Sequence, residues 1–222
     1  MPVTRDVGVI SDGSPEASVI AIHAKFGASE TFYAKDEEIY RQSEPADRIY
    51  EVIRGAVRSY NVLSDGRRRQ ICSFHLPGDV FGLEIGLHYR FTTEAIEDTA
   101  VRVVRRHSLE YVAATDARVA RDLLSMTAVT LRHAEDHMLL LGRKCAAERV
   151  AAFLLEMDKR LAGTGMIALP MHRRDIADYL GLTLETVSRE LSHLRDEGVL
   201  EFSETQRQIV LRNRQRLNEL NS

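Results

Sequence analysis

The spacing of apolar and polar positions changes along the chain and marks its main parts. Residues 1–18 are rich in Gly, Ser, Asp and Pro with little periodicity, so we expect a flexible tail there. Residues 28–105 contain short alternating stretches, such as Tyr50 to Val52, that end at turn residues. Asp65-Gly66 lies between two such stretches and is a strong hairpin signal. This pattern predicts a compact all-β roll or barrel.

From Asp116 onward, apolar positions recur every seven residues, and no Gly or Pro interrupts the run before Gly142. A seam this narrow is typical of a helix that pairs with another helix, since a single buried helix shows a wider apolar stripe. The alternative partner is the β domain of the same chain. We favour a second copy of the chain, which predicts a homodimer. The predicted interface residues are Ala117, Ala120, Leu124, Thr127, Leu131, Ala134, Met138 and Leu141.

A further helix is predicted over residues 146–161, and a tight pair of helices follows in residues 172–197. In that pair Ala177 is small where the helices cross, and Gly181 supplies the unusual turn dihedral. Val187 fills the angle between the two helices. The offsets of four and then six residues suit helices that cross steeply over a short turn. The spacing therefore predicts a helix-turn-helix.

The second helix of the pair separates an apolar face from a polar stripe. The stripe comprises Glu185, Ser188, Arg189 and Ser192 at positions i, i+3, i+4 and i+7. Arg189 can bind guanine O6 and N7, Glu185 can accept from a cytosine amine, and Ser188 can contact a thymine methyl or a phosphate. A solvated face with a Glu185–Arg189 ion pair is the alternative. The inward face comprises Leu184, Val187, Leu191 and Leu194.

A β-hairpin is predicted in residues 199–211. Together with the helix pair, this hairpin makes a winged helix. Asn213 then caps a short final helix.

Residues 163–222 carry eight Arg and nine acidic side chains, and the whole chain has a net charge of −3. Charge gives no global sign of nucleic-acid binding, so binding must come from a few salt-sensitive contacts. Supporting DNA contacts are predicted from His172, Arg173, Thr183, Leu184, Thr186, Ser192 and Arg207.

Several motifs in sequence order resemble the FNR/FixK branch of the CRP/FNR superfamily of bacterial regulators. The recognition motif E-x-x-S-R matches residues 185–189, and DIADYLGLT precedes it at residues 175–183. In the β domain, ADRIYEVIRGAVRSY at residues 46–60 and RQICSFHLPGDVFGLE at residues 69–84 are similar to the branch's strand and turn signatures. The resemblance covers nearly the whole chain.

The resemblance implies an α+β protein with an N-terminal antiparallel β-roll of the cyclic-nucleotide-binding type, a long dimerisation helix and a winged helix-turn-helix. We expect a flexible tail at 1–18, the β-roll at 19–114, the dimerisation helix at 115–142 and the DNA-binding domain at 143–222. The resemblance also implies that a homodimer reads a TTGAT-N4-ATCAA-like palindrome in double-stranded DNA through Glu185, Ser188 and Arg189. RNA polymerase is the implied further partner, and the implied targets are genes of microaerobic respiration, nitrogen fixation or denitrification.

Three effector chemistries known in the superfamily fit the sequence poorly, so we expect a regulator without a cofactor. An iron–sulfur sensor needs about four thiolates, whereas the chain has only Cys72 and Cys145. Cyclic-nucleotide sites of the superfamily use a Gly-Glu pair and an Arg-Ser/Thr-Ala run, whereas residues 92–95 read TTEA. Haem ligation by Cys72 with His75 is doubtful because an odd offset points them to opposite strand faces. A cyclic-nucleotide- or haem-responsive regulator remains the alternative.

Other sequence features restrict the class of protein. His133 and His137 lie one helical turn apart, and a solvated pair is favoured over a metal site because no third ligand is evident nearby. We expect no enzyme activity, since no catalytic triad order, phosphate loop or paired metal motif occurs. No apolar run reaches the length of a membrane span, and residues 1–15 lack the layout of a secretory signal. We therefore expect a cytoplasmic protein.

Overall fold

The computed structural model describes residues 28–62, 69–84, 86–161, 163–203 and 208–221. The flexible tail expected at residues 1–18, the predicted Asp65-Gly66 turn and Arg207 all lie outside the described residues. No helix in these described ranges is long and apolar enough to cross a membrane.

The N-terminal domain is a β-roll of two four-stranded sheets, as the sequence predicted. One sheet has the order β1-β8-β3-β6 and the other β2-β7-β4-β5, and neighbouring strands are antiparallel. The strands are β1 (Ser29–Tyr33), β2 (Glu38–Tyr40), β3 (Arg48–Arg54), β4 (Val57–Val62), β5 (Arg69–His75), β6 (Val80–Phe81), β7 (Thr92–Ala95) and β8 (Thr99–Arg105).

Aromatic side chains fill the inside of the roll. The ring centroids of Tyr40 and Tyr89 lie 3.7 Å apart, and those of Tyr50 and Phe81 lie 5.1 Å apart. All four side chains are buried, and Val52, Val57, Val101 and Val103 are in the same cluster. Alternation on the strands thus places one face of each sheet in a common core.

The strand alternation breaks at a β-bulge between β4 and β5. Ser59 pairs with Ser73, but Tyr60 pairs with Ile71, so Cys72 is the extra residue. Ile71 therefore belongs to the same hydrophobic core as Phe74, although the two are three positions apart, an odd offset. A strict period of two would place them on opposite faces.

Two helices follow the roll, α1 (Arg106–Thr115) and the long α2 (Ala117–Arg143). The side chain of Asp116 accepts a hydrogen bond of 2.8 Å from the Arg118 N–H and so caps α2. Val119 is fully buried and packs with Leu109 of α1 and Ile49 of β3. The beginning of α2 is therefore fixed on the β-roll.

The C-terminal domain is a winged helix-turn-helix. Its three-stranded sheet has the order β10-β11-β9, and its core includes Phe153, Leu180, Val187 and Leu217. The same core continues into the β-roll through Ile71 and the cluster around it. The elements are α3 (Ala146–Arg160), β9 (Met166–Ala168), α4 (Arg173–Leu180), α5 (Leu184–Asp196), β10 (Leu200–Phe202), β11 (Gln208–Leu211) and α6 (Arg214–Asn221).

Candidate DNA-binding interface

The turn between α4 and α5 has the geometry that its spacing predicted. Gly181 adopts the left-handed conformation, with φ 63° and ψ 36°. The Leu182 N–H donates a hydrogen bond of 3.0 Å to the Ala177 carbonyl, which closes the end of α4. Ala177 and Val187 are both buried at the helix crossing. The two helices therefore pack as one unit.

Helix α5 presents a polar face away from this core. Thr183 begins the helix, and its hydroxyl accepts a hydrogen bond of 3.1 Å from the Thr186 N–H. Glu185 and Arg189 are exposed, and 72% of the Arg189 side chain is accessible. Ser188, Ser192 and Thr186 are half-buried, and Val187, Leu191 and Leu194 are buried. The sequence placed Leu184 inside, but it is only half-buried, because it lies at the first turn of the helix.

The charges on this face are available to a ligand. The Glu185 backbone N–H, the Thr183 side chain and nearby Arg174 lower the pKa of the Glu185 carboxyl, which stays ionised at the helix N-terminus. Among the described residues, the ion pair of Arg189 is with Glu190, at 3.5 Å, rather than with Glu185. The Glu185–Arg189 pair of the alternative interpretation is therefore not formed. An exposed pair of this length restrains Arg189 weakly.

The remaining residues predicted to support DNA binding surround the start of α4. His172 is exposed and precedes α4, and its N–H donates a hydrogen bond of 3.0 Å to the Asp175 carboxylate. The guanidinium of Arg173 lies 5.2 Å from the ring centroid of Phe202, so α4 also contacts the wing strand β10.

The apolar seam of α2 is largely uncovered in the single chain. Leu124, Leu131 and Met138 are 69%, 59% and 66% exposed, and a continuous apolar row of this kind needs a partner surface. Leu141 is half-buried and packs against the core of the C-terminal domain. The other predicted interface residues are also exposed, namely Ala117, Ala120, Thr127 and Ala134.

The prediction that His133 and His137 form a solvated pair is wrong for His137. Its ring lies parallel to the Tyr179 ring, with centroids 4.1 Å apart, and its Nε2 is 2.9 Å from the Tyr179 carbonyl oxygen. Burial lowers the pKa of this imidazole. The helix surface is covered here because α4 packs on α2. No group of three metal-ligating side chains occurs among the described residues.

Sequence reasoning missed Arg149, which joins three elements. Its guanidinium donates to the carbonyl oxygens of Leu141, Lys144 and Leu180, at 2.9, 2.8 and 2.9 Å. These carbonyls lie at the ends of α2 and α4, where the helices leave them without intrahelical donors. A lone arginine on a helix carries no sequence signal for such partners.

Comparisons with known proteins place these features in one family. Residues 148–220 match the Crp-like helix-turn-helix domain, and residues 30–116 match the cyclic nucleotide-binding domain. The nitrogen fixation regulation protein FixK of Rhizobium meliloti is 44% identical over 168 residues, which is 76% of each chain. The chain belongs to the FixK branch of the Crp/FNR family.

Two further relatives of this Crp/FNR regulator span more of its length. The FixK protein of Azorhizobium caulinodans is 40% identical over 220 residues, covering 97% of this chain and 87% of that protein. The solved structure of FixK2 from Bradyrhizobium japonicum superposes with a TM-score of 0.84 at 67% identity, over 88% of this chain and 98% of that one. Helix-turn-helix regulators of the Crp/FNR family bind DNA and act as dimers.

Proposed function

We propose that this chain is a homodimeric transcription activator that reads a TTGAT-N4-ATCAA-like palindrome with helix α5. The observation that carries the proposal is the capped helix whose exposed face holds Glu185 and Arg189 with Ser188 between them. A helix of this kind enters the major groove with its N-terminal residues at the base edges. The resemblance to FixK proteins supports this interpretation of the site.

Each side chain of the stripe has a distinct chemical role in the proposal. Arg189 binds guanine O6 and N7 with two donors, and Glu185 accepts from a cytosine amine. Ser188 contacts a thymine methyl or a phosphate. His172, Arg173 and the other supporting residues fix the helix on the DNA backbone, which adds affinity without sequence information.

The exposed seam of α2 supports a dimer in which two copies pair along Leu124, Leu131 and Met138. Two-fold symmetry then sets the α5 helices about 34 Å apart, which is one turn of DNA.

We further propose the domain division at 19–114, 115–142 and 143–222, which the two family matches at 30–116 and 148–220 support. RNA polymerase as a partner, a cytoplasmic location and the absence of enzyme activity complete the proposal.

The proposed regulator needs no small-molecule effector. Buried Tyr40, Tyr50, Phe81 and Tyr89 occupy the inside of the roll with their rings in contact. Residues 92–95 read TTEA and so lack the arginine that cyclic-nucleotide sites of the superfamily place at the phosphate. The match to the cyclic nucleotide-binding domain is the observation that favours the second candidate, a cyclic-nucleotide-responsive regulator.

A gel shift with purified full-length protein tests both candidates. The probe is a TTGAT-N4-ATCAA duplex, with a scrambled duplex as control, each in the presence and absence of cyclic AMP. We expect specific binding without ligand and no change when the nucleotide is added. Binding that requires cyclic AMP would favour the second candidate. Equal binding to both duplexes would overturn the proposed recognition of the palindrome.

A further inference from the structure

The β-roll holds the first helix of the helix-turn-helix at both ends. Arg58 of β4 contacts the N-terminal end of α4, and Gln70 of β5 contacts its C-terminal end. Neither residue belongs to the DNA-reading domain. They lie 117 and 108 positions along the chain from their partners Asp175 and Asp178.

The contact at the N-terminal end is a buried ionic network. Arg58 Nη1 donates to Asp175 Oδ1 at 2.8 Å, and the two side chains are 7% and 3% exposed. Arg58 Nε donates to Glu94 Oε1 at 2.7 Å, and Nη2 lies 3.1 Å from Asp36. Arg69 Nη1 also donates to Glu94, at 2.9 Å. Arg58 and Asp175 thus pair where water is largely excluded, whereas Asp36 at the edge of the network is 59% exposed.

Asp175 connects this network to the start of α4. Its second carboxylate oxygen accepts the His172 N–H at 3.0 Å, one of the donors that a helix start leaves without a partner. One carboxylate therefore caps α4 and fastens it to β4. Any rotation of α4 away from the β-roll breaks the buried contact with Arg58.

The contact at the C-terminal end uses a neutral donor. Gln70 Nε2 donates to the carbonyl oxygens of Asp178 and Tyr179 at 2.8 and 3.3 Å. These carbonyls are in the last turn of α4 and have no intrahelical donor. Because contacts at both ends define a direction, α4 is fixed in angle as well as in position.

Together with contacts of α2, these contacts hold α4 and α5 rigidly relative to the β-roll. The β-roll is packed on the beginning of α2 through Val119, and the helix-turn-helix is tied to the end of α2 through Arg149. Helix α5 follows α4 because Ala177 and Val187 are buried at their crossing. The contacts of Arg58 and Gln70 complete this arrangement.

We infer that the β-roll acts as a positioning platform, in which Arg58 and Gln70 set the spacing of the two α5 helices and hence the half-site spacing that the dimer accepts. The inference rests on the proposed function. One added base pair moves a half-site by about 3.4 Å and rotates it by about 34–36°. A rigidly held helix-turn-helix cannot follow that change, whereas a released one can.

The experiment compares binding of full-length variants to duplexes with N3, N4 and N5 spacers between TTGAT and ATCAA. For the wild type we expect an affinity about 30-fold weaker at N3 and N5 than at N4. Arg58→Gln and Gln70→Ala reduce this ratio to about 5-fold or less. Arg102→Gln is the matched control, since Arg102 pairs with buried Glu51 on the sheet that does not carry Arg58 and Gln70. It keeps the wild-type ratio.

Thermal unfolding and sedimentation identify variants that are folded and dimeric before their ratios are compared. If Arg58→Gln does not fold, Gln70→Ala decides the question, because it removes no buried charge. A wild-type ratio kept by folded Gln70→Ala overturns the positioning role alone. A wild-type protein that binds none of the three duplexes overturns the proposed function and this inference with it.

Discussion

The imidazole of His75 faces the hydroxyl of Ser59 inside the β-roll, with 2.9 Å between Nε2 and Oγ. The ring also stacks on Phe81, with centroids 4.9 Å apart. Burial lowers the pKa of His75 to about 4, because Asp79 offsets only part of the desolvation and Arg160 opposes the charged form. His75 is therefore neutral at physiological pH.

The low pKa predicts that acid destabilises the fold through His75. The unfolded chain binds a proton near pH 6.5, and the folded chain only near pH 4, so stability is complete above pH 6.5 and is lost as the pH falls between these values. The loss amounts to about 3 kcal/mol. Between pH 7 and pH 4, the free energy of unfolding measured with denaturant should fall by about 3 kcal/mol less for His75→Gln than for the wild type. Parallel curves for the two proteins would contradict the assignment.

Gly181→Ala is expected to lower the free energy of unfolding by about 1–2 kcal/mol, because a side chain strains the left-handed conformation. An added Cβ would lie 3.4 Å from Leu141 Cδ2, so the expected loss of stability comes from the backbone conformation and not from a steric clash. Gly86→Ala is the control, since an added Cβ there meets nothing within 4 Å and φ is not positive. Its unfolding free energy should change by less than about 0.5 kcal/mol. Equal effects at both positions would contradict the prediction.

The proposed dimer predicts different outcomes for two exposed apolar residues of α2. Leu131 is 59% exposed and lies on the seam, whereas Val129 is 51% exposed and lies off it. Leu131→Arg should weaken dimerisation by about 100-fold in sedimentation equilibrium, because it buries a charge between the helices. Val129→Arg should leave the dimer intact. If Val129→Arg dissociates the dimer and Leu131→Arg does not, another face of α2 forms the interface.

The sequence predicted those parts of the fold that depend on local spacing. The heptad period gave α2, and the offsets of Ala177, Gly181 and Val187 gave the turn, because helix geometry fixes which neighbours can meet. The β-bulge before Ser73 lay beyond such reasoning. A bulge depends on how two strands pair, which the period of either strand does not contain.

The contacts that hold α4 on the β-roll could not be predicted in the same way. Asp175 reads as an ordinary capping residue, and nothing in its neighbourhood indicates Arg58 as a partner. The spacing within α2 alone places His137 in solvent, whereas the Tyr179 ring of α4 covers it. Contacts between distant segments follow from the packing of whole domains, which residue spacing does not encode.

We propose above that Arg189 of α5 contacts a guanine base in the major groove. A comparison of two duplexes by fluorescence anisotropy at fixed salt tests this contact most directly. One duplex is TTGAT-N4-ATCAA, and the other replaces the G·C pair of each half-site by A·T. We expect the wild type to bind the first about 10-fold or more tightly. Arg189→Ala should bind both weakly and with a much smaller preference, because it removes the bidentate guanine contact and leaves only the Glu185 contact with the cytosine of the same pair. If Arg189→Ala keeps the wild-type preference, the claim is contradicted.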